Sequence, residues 1–361
     1  MAIADAHKEM QPYLQRIADS CGPHAPVRVM EVCGTHTVAL FRSGIRSLLP
    51  GGLRLISGPG CPVCVTTQGY VDAACQAAQL PDTTICTYGD MVRVPGRLGS
   101  LEGLRGRGAE VMVVYSAREA LKYAREHTDR RVVFLAVGFE TTAPATAAAC
   151  IEAEEAGLEN FCVLNGHKLV MPALKHLLAA GALAVDALLC PGHVSVITGS
   201  DAFVELAEPY GVPCVITGFE PAQMVHAIAK AVELAAAGRG EVFNAYSVVV
   251  RPEGNRPAMN LIAEVFKPVD AEWRAMGTLP ASGLAFAERF ARFDAAAELD
   301  LEVGGDYEPP GCLCGQVIQG KAEPGDCPLF AGTCTPYQPV GPCMVSSEGT
   351  CAAWYKYGPR R

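Results

Sequence analysis

Cys33-Gly34-Thr35-His36-Thr37 sets a soft thiolate and an imidazole three residues apart on one turn, within reach of one metal or one proton-transfer partner. The glycine permits close backbone approach, and Thr35 and Thr37 are candidates to cap a following helix. A plain helix cap with an incidental cysteine is the competing reading. Ser57-Gly58-Pro59-Gly60-Cys61-Pro62-Val63-Cys64 places a C-x-x-C pair at a helix opening, where amide dipoles favour the thiolate. That suits a redox disulfide or a pair of ligands; a four-ligand zinc site would need two more from elsewhere.

The tail adds six cysteines, as Cys312-Leu313-Cys314, Cys327, Cys334, Cys343 and Cys351. Six among prolines exceed what packing needs, and four thiolates suit a [4Fe–4S] cube. Zinc is the rival metal, but its paired C-x-x-C hooks are missing from the tail. Two cysteines remain over, and an adjacent pair would exchange electrons with the cluster as a thiol/disulfide couple. Three other loops bring mixed charge and proton carriers: Asp90-Met91-Val92-Arg93, Gly138-Phe139-Glu140-Thr141-Thr142 and Pro191-Gly192-His193. Each follows a predicted strand, so Asp90, Arg93, Glu140 and His193 are expected at one sheet edge, although each singly reads equally well as a cap or turn. No G-x-G-x-x-G or G-x-x-x-x-G-K-[ST] occurs among these loops, so they give a nucleotide phosphate site no support.

Composition frames these motifs. The chain has 361 residues and a formal charge of −9, which argues against nucleic acid because phosphate binding needs a basic surface. Residues 1–10 hold two acidic side chains, Asp5 and Glu9, and no apolar run, so no signal peptide is expected. The longest apolar stretch, 177–190, is interrupted by Asp186 and is too short to span a bilayer. A soluble, cytoplasmic protein follows as an expectation. In that reducing setting sixteen cysteines point to metal or redox chemistry rather than a disulfide framework. Cys75, Cys86, Cys150, Cys162, Cys190 and Cys214 lie in apolar segments, where cysteine is a small hydrophobe.

The elements that must position these groups are legible as an alternation. Apolar runs at 27–32, 53–57, 83–87, 111–115, 132–137, 161–164, 187–189, 214–217 and 246–250 predict strands. Ala- and Glu-rich stretches at 65–78, 117–126, 143–156, 172–180, 200–208 and 221–237 predict helices. The class is α/β with parallel sheets and function at the loops after strand ends. The strand-and-turn at Val29–Gly34 matches Phe161–Gly166, and Gly58-Pro59-Gly60-Cys61 meets Cys190-Pro191-Gly192-His193 at the same offset of 132. This predicts two similar parallel-sheet domains, 24–128 and 129–250, facing a cleft; shared turn geometry alone is the alternative. A helix pair is expected at 281–298, within an irregular C-terminal iron–sulfur domain, 251–361; the N-terminal segment, 1–23, is free to pack on this domain or on either of the other two.

Together the motifs resemble the HypD family over essentially the whole chain. The resemblance is carried by Cys33-Gly34-Thr35-His36-Thr37, Gly58-Pro59-Gly60-Cys61-Pro62-Val63-Cys64, Gly89-Asp90-Met91, Gly138-Phe139-Glu140-Thr141-Thr142 and Met344-Val345-Ser346-Ser347-Glu348-Gly349. It implies a scaffold, rather than a conventional turnover enzyme, on which the Fe(CN)2CO unit of [NiFe]-hydrogenases is built before transfer to the large subunit. By that resemblance Cys33 would bind the iron together with a cysteine of a small HypC-type chaperone, with His36 beside it. Cys61 and Cys64 would form a redox pair at the same cleft, Cys64 (or equally Cys61) touching the iron. A HypE-type partner carrying a thiocyanate would donate cyanide, with His36 or Glu140 moving protons. The family's tail resembles ferredoxin:thioredoxin reductase, which assigns Cys312, Cys327, Cys334 and Cys351 to the cluster and Cys314 and Cys343 to the redox couple. Cys312 and Cys314 exchange roles equally well on spacing. A cluster-driven thiol/disulfide oxidoreductase and a structural zinc protein are the other classes of reading.

Overall fold

Eleven strands form among the residues that the computed structural model describes, 3–22, 26–179 and 185–358. They are β1 (Val27–Glu31), β2 (Leu53–Ser57), β3 (Thr83–Thr87), β4 (Glu110–Val113), β5 (Arg131–Gly138), β6 (Phe161–His167), β7 (Ala187–Pro191), β8 (Cys214–Thr217), β9 (Val242–Asn244), β10 (Phe266–Trp273) and β11 (Gly277–Phe286). The first nine make two parallel sheets, one in the order β2-β1-β7-β8-β9 and the other β4-β3-β5-β6. β3, β5 and β7 are buried on both faces, which continuous apolar runs demand and which helices on each face provide. β10 and β11 form an antiparallel hairpin.

Parallel sheets and strand-end loops are as expected, but the division at 128/129 is not how the strands group. β1 pairs with β7 beyond it, which joins β1 and β2 to β7 and β8 in one sheet, so the second sheet, 83–167, is inserted within the first. The offset of 132 therefore does not mark a tandem duplication. β1 and β2 are sheet neighbours, whereas their counterparts β6 and β7 lie in different sheets.

Four local expectations are corrected. Residues 246–250 turn instead of extending, because Asn244 ends β9 by donating from Nδ2 to Val250 O and accepting from Tyr246 N–H. The predicted helix at 65–78 divides into Pro62–Val65 and Gln68–Ala77; Arg274 captures the Val65 and Thr66 carbonyls between them. Residues 281–286 belong to β11, followed by a 3-10 helix, Glu288–Phe293, and a helix, Ala295–Glu298. The helix expected at 172–180 is Val170–Ala179; residues 180–184 of the apolar stretch, like residues 1–2, lie outside the described residues.

The N-terminal helix, Ile3–Ser20, also packs elsewhere than on the tail. Met10 and Ile17 join the core between the first sheet and helix Pro221–Ala236, and Arg16 pairs with Glu233 at 2.6 Å. Helix Arg256–Val265 and the hairpin cover the second sheet, where Phe266, Phe286, Phe290 and Phe293 meet Phe134, Cys150 and Phe161. Each such fully buried aromatic contributes about 1.5–3 kcal/mol. Loops and short helices characterise the chain only from about 301 onward. Among the described residues no helix is long and apolar enough to cross a membrane.

Candidate functional site

In each sheet the strand order reverses at one place, between β1 and β7 in the first and between β3 and β5 in the second. Loops leaving adjacent strands at such a point diverge and open a crevice beyond the carboxyl ends. Here both crevices open into one cleft of about 470 Å³. Val32 and Cys33 reach it from β1, Pro191 and His193 from β7, Tyr88 to Asp90 from β3, and Gly138, Phe139 and Thr142 from β5. The tail closes one wall with Ser346, Ser347 and Glu348.

Cys33 caps helix Gly34–Arg42 with an extended backbone. The helix is anchored from below: buried Glu31 accepts from Thr37 Oγ1 at 2.5 Å and pairs with Arg46. A Cβ on Gly60 would lie 1.4 Å from Val32 O, so only glycine lets the two loops interlock, and Gly34 N–H donates to Gly60 O at 3.2 Å. Thr35 Oγ1 donates to Glu348 at 2.6 Å. Burial, and then the Glu348 carboxylate, push the half-buried Cys33 thiol up to about 11. The sulfur is thus protonated at neutral pH, and a soft metal ion must displace that proton to bind.

His36 is not in the cleft. Two positions beyond Gly34 the helix turns its ring inward, where it is fully buried, 3.1 Å from Gly218 O and stacked obliquely at 4.8 Å on Phe219. Burial lowers its pKa to about 4, so it is neutral at pH 7. His193 stands in the cleft instead, 4.3 Å from the same Phe219 ring and lowered in pKa by partial burial. Glu140 is likewise turned away between the cleft-lining Phe139 and Thr141. Its Oε1 accepts from Val170 N–H at 2.9 Å, burial raises it to about 7, and Oε2 has no partner among the described residues. Asp90 lines the cleft as a tie to the tail, accepting from Ser346 Oγ, Ser347 N–H and Ser347 Oγ at 2.8–3.0 Å. Arg93 points outward to Pro336 O and Glu102.

Cys61 and Cys64 are joined as a buried disulfide, with Cα atoms 5.2 Å apart. Pro62 and Val63 between them line the cleft, while both sulfurs face the core behind it. In this state neither sulfur is free for a metal. The helix that holds them packs on Cys314–Ile318 and Pro342–Val345.

All six tail cysteines, Cys312, Cys314, Cys327, Cys334, Cys343 and Cys351, line one small cavity of about 10 Å³ with Phe330 and Met344. Cys314 lies against both Cys312 and Cys343, and Cys343 against Cys351. The N–H groups of Val340 and Cys351 point at the sulfurs of Cys334 and Cys343, at 3.4 and 3.2 Å. Soft thiols in an apolar shell with N–H···S donors fit an iron–sulfur cluster in donor chemistry. Among the described residues, however, no group of three or more His, Cys, Asp or Glu stands in a metal-binding arrangement, and the six tail thiols are free. Glu348 in the cleft wall, and Phe219 packed against His36 and His193, are residues to which the spacing of motifs gave no role. Glu348 was visible only as part of Met344–Gly349, and Phe219 carries no chemical signal of its own. Cys75, Cys86, Cys150, Cys162, Cys190 and Cys214 are buried in the cores.

Comparison with known proteins adds a family. The HypD model, described as the Hydrogenase formation hypA family, matches residues 8–358. The chain is 46% identical over 354 residues to the "Hydrogenase maturation factor HypD" of Azotobacter vinelandii, covering 96% of this chain and 93% of that protein. It is 43% identical to the protein of that name from Escherichia coli (strain K12), covering 92% and 89%. To that of Rhodobacter capsulatus it is 39% identical, covering 96% and 94%.

Proposed function

The chain belongs to the HypD family, and from that premise we propose that it is a hydrogenase maturation factor on which the Fe(CN)2CO unit is assembled. The observation that carries the reading is the convergence of two sheet switch points on Cys33, with a dithiol helix separating that cleft from a cavity of six cysteines. The iron is cargo, held by Cys33 and a cysteine of a small HypC-type chaperone seated at the cleft mouth.

Iron binding displaces the Cys33 proton, and the apolar wall of Val32, Phe139 and Val194 excludes water from the carbonyl and cyanide ligands. His193, neutral and at the wall, is placed to hold a proton; His36 and Glu140 act as packing and capping groups behind it. A HypE-type partner would present a thiocyanate. Its cleavage to cyanide and a thiol takes two electrons and one proton. The Cys61–Cys64 dithiol holds two electrons and two protons; as the sulfur–carbon bond breaks, closing to the disulfide gives both electrons and one proton to the thiocyanate, and the second proton goes to His193. Cys314 and Cys343, in contact and packed behind that helix, are the pair suited to restore the dithiol by exchange. Cys312, Cys327, Cys334 and Cys351 would hold a [4Fe–4S] cluster, which supplies single electrons when bound. The matured iron unit would pass to a hydrogenase large subunit through the chaperone.

A plain cluster-dependent thiol/disulfide oxidoreductase would use the same sulfurs but leaves the Cys33 cleft without purpose. Infrared spectroscopy of anaerobically purified protein with both partners decides between them. Iron-bound cyanide and carbonyl bands that vanish in Cys33→Ala are expected. Their absence from a preparation with an intact cluster and active partners would sink the scaffold reading.

A further inference from the structure

Arg274 is a fully buried guanidinium that none of the roles above employs. It stands in the turn between β10 and β11, which pushes it between the disulfide helix and the tail. Its main-chain N–H donates to Val65 O at 2.9 Å, and Nε to Thr66 O at 3.0 Å, directly after Cys64. The adjacent Ala275 accepts from Gln319 Nε2 at 2.9 Å, and its Cβ lies 2.1 Å from where a Cβ on Gly315 would be. The turn is therefore pressed against the helix that begins at Cys314.

Its charge is incompletely matched. Nη1 donates to Tyr307 O at 3.3 Å and stands 3.6 Å from Asp306 Oδ1. Asp306 already accepts from the N–H groups of Gln68, at 3.3 Å, and Ala275, at 2.9 Å. Nη2 has no hydrogen-bond partner among the described residues. A buried cation with an idle donor is unfavourable unless an anion shares its field. The sulfur cavity adjoins that turn, because Ala275 packs on Gly315 directly after the cavity-lining Cys314.

We propose that Arg274 is a positioning residue that holds a fixed positive charge against the tail sulfur site and thereby sets its reduction potential. This rests on the reading of the tail thiols as cluster ligands. A cluster held by four thiolates is anionic and gains one further negative charge on reduction, so a nearby buried cation favours the reduced state.

The test is a potentiometric titration of the full chain, reconstituted anaerobically with iron and sulfide, with the reduced cluster read by electron paramagnetic resonance. Arg274→Met should lower the reduced-to-oxidised ratio at the wild-type midpoint at least tenfold, a shift of about 59 mV for a one-electron couple. Arg274→Lys, which keeps the charge and loses the fork, should stay within about threefold of wild type. Asp306→Asn removes the opposing anion and should move the midpoint the other way, which keeps the test open if Arg274→Met folds poorly. An unchanged midpoint in Arg274→Met at full cluster content overturns the proposal. So does an equal fall in Arg274→Lys, or a fall in Asp306→Asn. A wild-type protein that takes up no cluster overturns the cluster reading together with it.

Discussion

The cleft and the tail cavity are built on opposite plans. The cleft, about 470 Å³, is walled by the ends of parallel strands whose main-chain bonds are complete before anything enters it. The cavity behind it, about 10 Å³, is enclosed by loops and helices of four to eight residues, and its centre is sulfur against sulfur. On the proposed function, the sheets give a rigid shape to a scaffold that would receive and release cargo. The tail, with little regular structure, would take its shape from what its cysteines hold, since bound metal contributes folding energy that a small core lacks.

The sharpest way to break that contrast is to exchange the two sulfur functions. Cys33→Ala should abolish hydrogenase activation while leaving the tail's iron–sulfur absorption and the melting temperature unchanged. Cys351→Ser should remove the absorption and lower the melting temperature together. Calorimetry beside visible spectra checks both, and a Cys351→Ser protein that melts like wild type would show that the tail folds without its metal.

Next in size is a pair of glycines. Gly60→Ala puts a Cβ 1.4 Å from Val32 O and should cost about 4 kcal/mol or more in denaturant unfolding. Gly332→Ala in the tail meets nothing closer than Leu329 O at 3.9 Å and should stay within about 0.5 kcal/mol.

The wall behind the cleft should also impose a pH dependence. Burial raises Glu140 to about 7 in the folded state, so the folded chain holds a proton there that the unfolded chain has lost. That stability is present below pH 4.5 and disappears as pH rises through about 7. Burial lowers His167 to about 4, so its contribution is present above pH 6.5 and disappears as pH falls through about 4. Glu140→Gln, which keeps the acceptor for Val170 N–H, should therefore gain about 2 kcal/mol at pH 8 and little at pH 4. Equal stability of the two proteins at pH 8 would show that this carboxyl is not held neutral. The smallest expected effect is Thr35→Val, which removes the 2.6 Å bond to Glu348 and should cost about 1 kcal/mol by urea titration.

Much of this arrangement was legible in the residues. Apolar runs bounded by Gly and Pro located β2, β3 and β8 to the residue; β3 and β8, buried on both faces, leave no ambiguity of period. Strand partners were not legible: β1 and β7 touch across more than 150 residues, and nothing local records that pairing. For the site, sequence position delivered Cys33 and Asp90 to the cleft because both begin turns at strand ends. It failed for His36 and Glu140, since a turn's side chains alternate between cleft and core and only packing decides which. Arg274 shows the same limit from the other side. Its role depends on Val65, Thr66 and Tyr307, none of which is near it in sequence.

The insertion of one sheet inside the other fixes an order of events during synthesis. Residues 83–167 can close their sheet as soon as they emerge, but β1 and β2 must wait for β7. At about 5–20 residues per second, the stretch from Ser57 to Ala187 occupies the ribosome for on the order of 10 s. Throughout that interval Cys33, Cys61 and Cys64 belong to an unfinished edge, with their thiols open to the cell. The disulfide's helix gains its backing from Cys314–Ile318 and Pro342–Val345 only when the last residues arrive. The newborn chain thus carries these sulfurs longest in their least protected form.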